Sequence, residues 1–161
     1  VSGEERDANI EKPTGRTFSD FASLRSDQVR HPAGIPMFKP PYSHITAIDM
    51  NTGEHLWQLP IGETPDRYKN NPAVEGIDIG ETGNGRNAQM LVTKTMFVYT
   101  SLLADETPAL FFVDKQTGEQ IGSVEIPGRN GYGLSSYVHD GKQYIMLQTG
   151  PKLTAMSLGD F

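Results

Sequence analysis

Before residue 34, apolar side chains stand alone among charged and polar ones, and no period of 2 or 3.6 residues persists. Beyond it they gather into runs of strand length. Ile45–Asp49, Leu56–Leu59, Met90–Thr93, Met96–Thr100, Leu110–Asp114, Ile121–Val124, Ser136–Val138, Tyr144–Leu147 and Leu153–Leu158 are β-prone segments separated by turn-forming residues. No amphipathic run of ten residues or more asks for a helix; short helical turns are expected near Thr64–Lys69 or Pro72–Glu75. Gly34-Ile35-Pro36 and Lys39-Pro40-Pro41-Tyr42 are rigid, extended elements, because proline fixes φ and pushes its predecessor out of the α region.

Two of the strand pairs share one plan. Ile45–Asp49 leads through Thr52-Gly53-Glu54 into Leu56–Leu59, and Leu110–Asp114 leads through Thr117-Gly118-Glu119 into Ile121–Val124. Asp and Thr offer side-chain oxygens to nearby backbone N–H groups, and Gly supplies a positive φ, so each segment reads as a hairpin. A partial third copy, Leu153–Leu158, carries Ser157 where the aspartate stood. Asp114 and Ser157 are 43 positions apart, within the roughly 40–50 residues of one propeller blade. Asp49 and Asp114 are 65 apart, one blade plus an insertion, and the Pro/Gly/Asn-rich stretch at about 62–89 is the place for it. Asp140-Gly141 marks a further tight hairpin. The expected fold is all-β, a partial β-propeller of about two to three four-stranded blades over 34–161, preceded by an irregular arm at 1–33.

Composition narrows the function. The 17 Gly and 11 Pro among 161 residues favour many short strands over long helices. A net charge of −6 with no basic cluster argues against a nucleic-acid partner, which needs Lys and Arg grouped on one face. No apolar run approaches the roughly 20 residues of a transmembrane helix. Without cysteine there is no disulfide, thiolate nucleophile or c-type haem attachment. Val1–Arg6 has no apolar core of a signal peptide and no initiator Met, so the chain reads as processed or as a piece of a longer one. Too few blades are present to close a propeller, and open blade faces and strand edges need cover. The expected partners are upstream propeller blades or another chain.

These segments resemble the C-terminal region of the pyrroloquinoline-quinone (PQQ) dependent alcohol and sugar dehydrogenases. Gly34–Tyr42 is similar to that family's Gly-Leu-Pro…Pro-Pro-aromatic approach to a blade; Thr46–Trp57 looks like its A-x-D-x-x-T-G-x-x-x-W repeat; Leu91–Thr95 and Asp140–Ile145 resemble its late strands. The similarity covers about 34–158. It implies an eight-bladed propeller holding PQQ and usually Ca²⁺, hydride transfer from a small alcohol or sugar to the quinone, and a periplasmic location. The catalytic aspartate and metal ligands of that family come from earlier blades, so no catalytic or metal residue is assigned here. Two departures stand out: Gly122 replaces the blade tryptophan of the second repeat, and Arg86-Asn87-Ala88-Gln89 occupies a loop where relatives often show Gly-Gly.

That loop supplies the candidate cofactor-binding residues, Arg86, Asn87 and Gln89, because loops at one end of a propeller line its funnel and arginine can pair bidentately with PQQ carboxylates. Lys39, Tyr42 and the loop Tyr132–Ser136 are lesser candidates. Trp57 reads as a docking tryptophan between blades. Asp49 and Asp114 read as turn caps, since a catalytic base is needed once and a cap in every blade. His31, His44, His55 and His139 lack metal-ligand spacing, and Gly80–Gly85 matches neither the P-loop nor the dinucleotide fingerprint. The leading expectation is the C-terminal part of a PQQ-dependent dehydrogenase; the alternative is a non-catalytic propeller scaffold for protein partners.

Overall fold

The computed structural model describes residues 32–157, and all structural statements concern these. Of the 1–33 arm, all but its last two residues lies outside them, as do His31 and Leu158. Three antiparallel sheets follow one another along the chain. β1 (His44–Ile48) and β2 (His55–Pro60) form the first. β3 (Met90–Val92), β4 (Met96–Leu102), β5 (Pro108–Asp114) and β6 (Gln120–Glu125) form a four-stranded meander. β7 (Ser135–His139), β8 (Lys142–Thr149) and β9 (Lys152–Ser157) form the third. Among the described residues the meander has the four strands of a whole blade, and its neighbours show two and three. Segment 61–89 carries the short helix α1 (Asp66–Lys69) and a 3-10 turn at Pro72–Val74.

Burial explains the sequence pattern. β4 and β5 are apolar almost without alternation because both of their faces are covered. Phe97 and Tyr99 with Ala109, Phe111 and Val113 face the first sheet and pack with Ile45, Trp57 and Leu59. Val98 and Leu110 face the third and pack with Ile145, Leu147 and Met156. β6, an outer strand, is exposed at five of its six residues and alternates polar with apolar. Rings form a ladder across the first interface: Trp57–Phe97 at 6.1 Å, Phe97–Tyr99 at 5.6 Å and Tyr99–Phe111 at 5.0 Å between centroids.

The two hairpin repeats are built on one plan. Asp49 Oδ1 accepts the Asn51 N–H at 2.7 Å, and Asp114 Oδ1 accepts those of Gln116 and Thr117 at 2.8 and 2.9 Å. Thr52 and Thr117 hydroxyls each accept the N–H two residues on, at 3.2 Å. Gly53 and Gly118 both sit at φ 76°. Even the register irregularity recurs, between Ala47 and Ile48 and between Phe112 and Val113. Both aspartates are therefore turn caps. Asp140 (φ 48°) and Gly141 (φ 75°) close the β7–β8 hairpin in two residues, with Tyr137 stacked on its cross-strand partner Tyr144 at 5.2 Å.

Backbone N–H groups, Thr117 first and then Gln116, hold the Asp114 carboxyl below the usual 3.8. A depressed folded-state value means that its stabilisation is complete above 3.8 and is lost as pH falls through the depressed value. Asp114→Asn is accordingly expected to unfold at slightly lower urea than the native protein at pH 7. The gap should close as the titration is repeated below pH 3.8; a gap that persists at low pH would assign the loss to geometry rather than charge.

Candidate functional site

The chain between β2 and β3 is tied down where it returns to the sheet. Asn84, almost fully buried, donates from Nδ2 to Ser101 Oγ at 2.6 Å, and its N–H donates to the Ile61 carbonyl at 3.0 Å. Its Oδ1 accepts the Arg86 N–H at 3.0 Å. The Tyr42 N–H donates to the Thr82 carbonyl, and the Gly85 N–H to Ser43 Oγ. Gly62 starts the segment at φ 69° under the Tyr99 hydroxyl, and a Cβ there would lie 2.8 Å from the Leu102 carbonyl oxygen. Burial, more than any neighbouring charge, pushes the Tyr99 hydroxyl up to about 12, so it stays a neutral partner for the Gly62 N–H.

These ties aim three loops at one cleft of about 1160 Å³. The loops precede β1, β3 and β7, the first described strand of each sheet, so the cleft lies at one end of the blades. One wall is apolar and aromatic: Pro36, Phe38 and Pro41 with Tyr42 and Tyr68, whose rings meet edge to face at 5.5 Å. Burial, with Tyr68 beside it, raises the Tyr42 hydroxyl above the ordinary tyrosine range and keeps it neutral. The lining also includes Arg86 and Asn87 from the loop before β3, and Arg129 and Asn130 from the loop before β7. Lys39 borders the same space. Arg67 lies over the Tyr68 ring at 4.7 Å and is ion-paired with Glu106.

Among the described residues that line this cleft there is no carboxylate. Asn130 Nδ2 is buried and, among the described residues, has no hydrogen-bond partner. A donor left unpaired in this way is costly, so the site is complementary to an acceptor that the chain itself does not provide. Cations, amide donors and an aromatic wall together suit a planar or ring-shaped molecule bearing acid groups. A second cleft, of about 550 Å³ beside β2, brings Glu63 and Glu81 near Lys69 and lacks this donor excess. Among the described residues, no three His, Asp or Glu side chains gather as a metal would require.

Of the residues read from the sequence, Arg86, Asn87, Lys39 and Tyr42 meet at the cleft. Gln89 stands behind it: its carbonyl accepts the Thr100 N–H at 2.9 Å and its N–H donates to Thr100 Oγ1, which anchors the loop to β4. Of the loop before β7, Gly131 reaches the cleft, Tyr132 is exposed, and Ser135 and Ser136 belong to β7. Arg129 and Asn130 escape a reading focused on strands and hairpins. A signal for them exists: Gly-Arg-Asn occurs at 85–87 and again at 128–130, the same 43-residue interval that separates Asp114 from Ser157. Trp57, the predicted docking residue, donates from Nε1 to the Lys115 carbonyl at 3.0 Å and lies against Gly118, both in the turn of the next blade.

Comparison with known proteins agrees with this architecture. A family model for the β-propeller domain of PQQ glucose/ethanol/alcohol dehydrogenases matches residues 2–145. The chain is 31% identical over 121 residues to the glycerol dehydrogenase large subunit of Gluconobacter oxydans, covering 73% of this chain and 15% of that protein. It is 29% identical over 134 residues to the quinate/shikimate dehydrogenase (quinone) of Acinetobacter baylyi, covering 80% and 16%. It is 24% identical over 119 residues to the quinoprotein glucose dehydrogenase A of Acinetobacter calcoaceticus, covering 74% and 14%. The matched part is thus about one sixth or less of these curated relatives. No solved structure gives a significant match. With its propeller blades, its cationic cleft and a family match over most of its length, the chain belongs to the PQQ-dependent glucose/ethanol/alcohol dehydrogenase β-propeller family.

Proposed function

We propose that this chain supplies late blades and cofactor-funnel loops to a PQQ-dependent dehydrogenase that oxidises an alcohol or sugar. The observation that carries the reading is the convergence of three blade-connecting loops on one cleft lined by Lys39, Arg86, Arg129 and the amides of Asn87 and Asn130. PQQ is planar and carries carboxylates, and this donor set fits it. Arg86 holds a carboxylate through charge-assisted hydrogen bonds, Asn87 donates beside it, and Gln89 fixes their loop to β4. Tyr42 and Tyr68 add an edge-to-face aromatic pair to the lining. Bound PQQ would supply the electron sink, taking up the hydride from the carbinol carbon while a base took the hydroxyl proton and the substrate became a carbonyl. The base and a Ca²⁺ site are assigned to upstream blades, and the enzyme to the periplasm, on family resemblance.

The test is PQQ uptake by the intact protein that carries this chain, followed by dye reduction with alcohols and sugars. Saturable PQQ binding is expected, with Arg86→Gln raising the Kd in equilibrium dialysis about 10- to 100-fold, the worth of one charge-assisted contact. An intact protein that binds no PQQ would overturn the reading in favour of a scaffold.

A further inference from the structure

We infer that Glu106 and Arg67 are positioning residues for the cofactor cleft: Glu106, held at a positive φ, aims Arg67 across Tyr68 and so sets the Tyr68–Tyr42 side of that cleft. This goes beyond the dehydrogenase reading above and rests on it only for the identity of the ligand.

The backbone gives the first observation. Among the described residues, Glu106 (φ 69°) and Asp140 (φ 48°) are the only non-glycine residues at positive φ. Asp140 stands in an Asp-Gly hairpin, where that conformation is expected. Glu106 has no such reason. It lies in the β4–β5 turn, where its N–H donates to the Leu103 carbonyl and the Leu103 N–H to the Thr107 carbonyl, both at 2.9 Å. Glycine would take this conformation without steric cost. A long side chain kept where it strains the backbone points to a task for that side chain. Stability is not that task. The Glu106 carboxylate is ion-paired with Arg67, both side chains are 39% exposed, and a pair so open to water adds little to folding.

The task is visible at Arg67, which lines the cleft together with Tyr68. Its guanidinium is held from two sides. Nη1 pairs with the Glu106 carboxylate, while Cζ lies 4.7 Å from the centre of the Tyr68 ring and Nη2 donates to the Tyr68 hydroxyl at 3.3 Å. Tyr68 is 4% exposed and meets Tyr42 edge to face at 5.5 Å. The surrounding backbone joins α1 to the β4–β5 turn without help from Glu106. The Asp66 N–H donates to the Ala104 carbonyl at 2.8 Å, the Glu63 N–H to the Leu102 carbonyl at 3.1 Å, and Glu63 Oε2 accepts the Ala104 N–H at 2.9 Å. Those ties fix the helix but leave the Arg67 side chain its rotamers. An Arg67 released from Glu106 is free to turn to solvent and uncover Tyr68; the carboxylate removes that freedom before any ligand arrives.

The experiment uses the intact protein that carries this chain and reads the urea midpoint, PQQ affinity by equilibrium dialysis, and nitration of Tyr68 by tetranitromethane, located by peptide mass. Glu106→Gly relieves the backbone and removes the carboxylate. It should leave the midpoint equal to or above the native one, raise the PQQ Kd about two- to fivefold, the effect of one open ion pair, and speed Tyr68 nitration severalfold. Glu106→Gln keeps an acceptor for Arg67 and should recover part of both changes. Adding Glu106→Gly to Arg67→Ala should alter neither Kd nor nitration further, since Glu106 acts through that guanidinium. A midpoint that falls together with affinity overturns the inference, because the pair then serves the fold alone. So does an unchanged Kd or an unchanged nitration rate in Glu106→Gly, or a Glu106 effect that persists in the Arg67→Ala background. A native protein that takes up no PQQ overturns the dehydrogenase reading but not this inference, which the nitration rates then decide.

Discussion

Trp57→Ala is expected to destabilise the protein by about 4 kcal/mol, measured as the fall in urea midpoint multiplied by the slope. Truncating a docked tryptophan removes its transfer free energy and leaves a cavity, about 3 kcal/mol for a ring not fully buried, and the lost Nε1–Lys115 bond adds roughly 1 kcal/mol. Trp57→Phe should lose mainly the hydrogen bond. The same contact predicts a coupling. Gly118 has φ 76° and a Cβ there would lie 2.7 Å from two Trp57 ring atoms. Gly118→Ala should therefore cost about 3 kcal/mol in the native background, part from positive φ and part from collision. In the Trp57→Ala background the collision is gone, and only about 1 kcal/mol from backbone strain should remain. Additive losses would show that the tryptophan does not rest on this turn.

Phe111→Ala should cost about 4 kcal/mol. The ring is fully buried at the centre of the only four-stranded sheet among the described residues, stacked on Tyr99 at 5.0 Å and packed against the first sheet. Phe111→Leu keeps most of the volume and should cost under about 1.5 kcal/mol. The consequence reaches the cleft. Tyr99 meets the Gly62 N–H, and its neighbours on β4, Thr100 and Ser101, hold Gln89 and Asn84. Loosening the ladder frees the loop that carries Arg86, so PQQ affinity should fall along with stability. Unchanged affinity in a destabilised Phe111→Ala protein would uncouple the ladder from the site.

What could be read from the sequence is what local chemistry decides. The nine strands and the Asp140-Gly141 hairpin fall where β-prone runs and turn residues place them, because pairing through a short turn needs only neighbours in the chain. The Asp49 and Asp114 caps are legible for the same reason: the oxygen and the N–H groups it accepts are two or three residues apart. Trp57 is legible as a docking residue, but not its seat, since Lys115 lies 58 positions away. Gly122 shows the limit from the other side. It sits where the repeat expects tryptophan, and the structure leaves open space around its missing Cβ.

The cleft belongs to the tertiary structure. Phe38, Arg67, Arg86 and Arg129 come from four separate segments, and no run or spacing within any one of them states that they meet. The stacking of blades brings the connecting loops to one end, and buried ties such as Asn84 to Ser101 set which side chains turn inward. That decides Gln89, whose backbone is taken by β4 while Arg86 and Asn87 reach the cleft. It also leaves Asn130 with a buried donor that meets no acceptor among the described residues, a property of packing that no sequence pattern carries. Sequence alone determined the strands, the turns and the propeller family, because those rest on contacts within a few residues and on a repeated pattern. Only the packed structure decided the site, because its charges are distant in the chain and gathered by the burial of the faces between them.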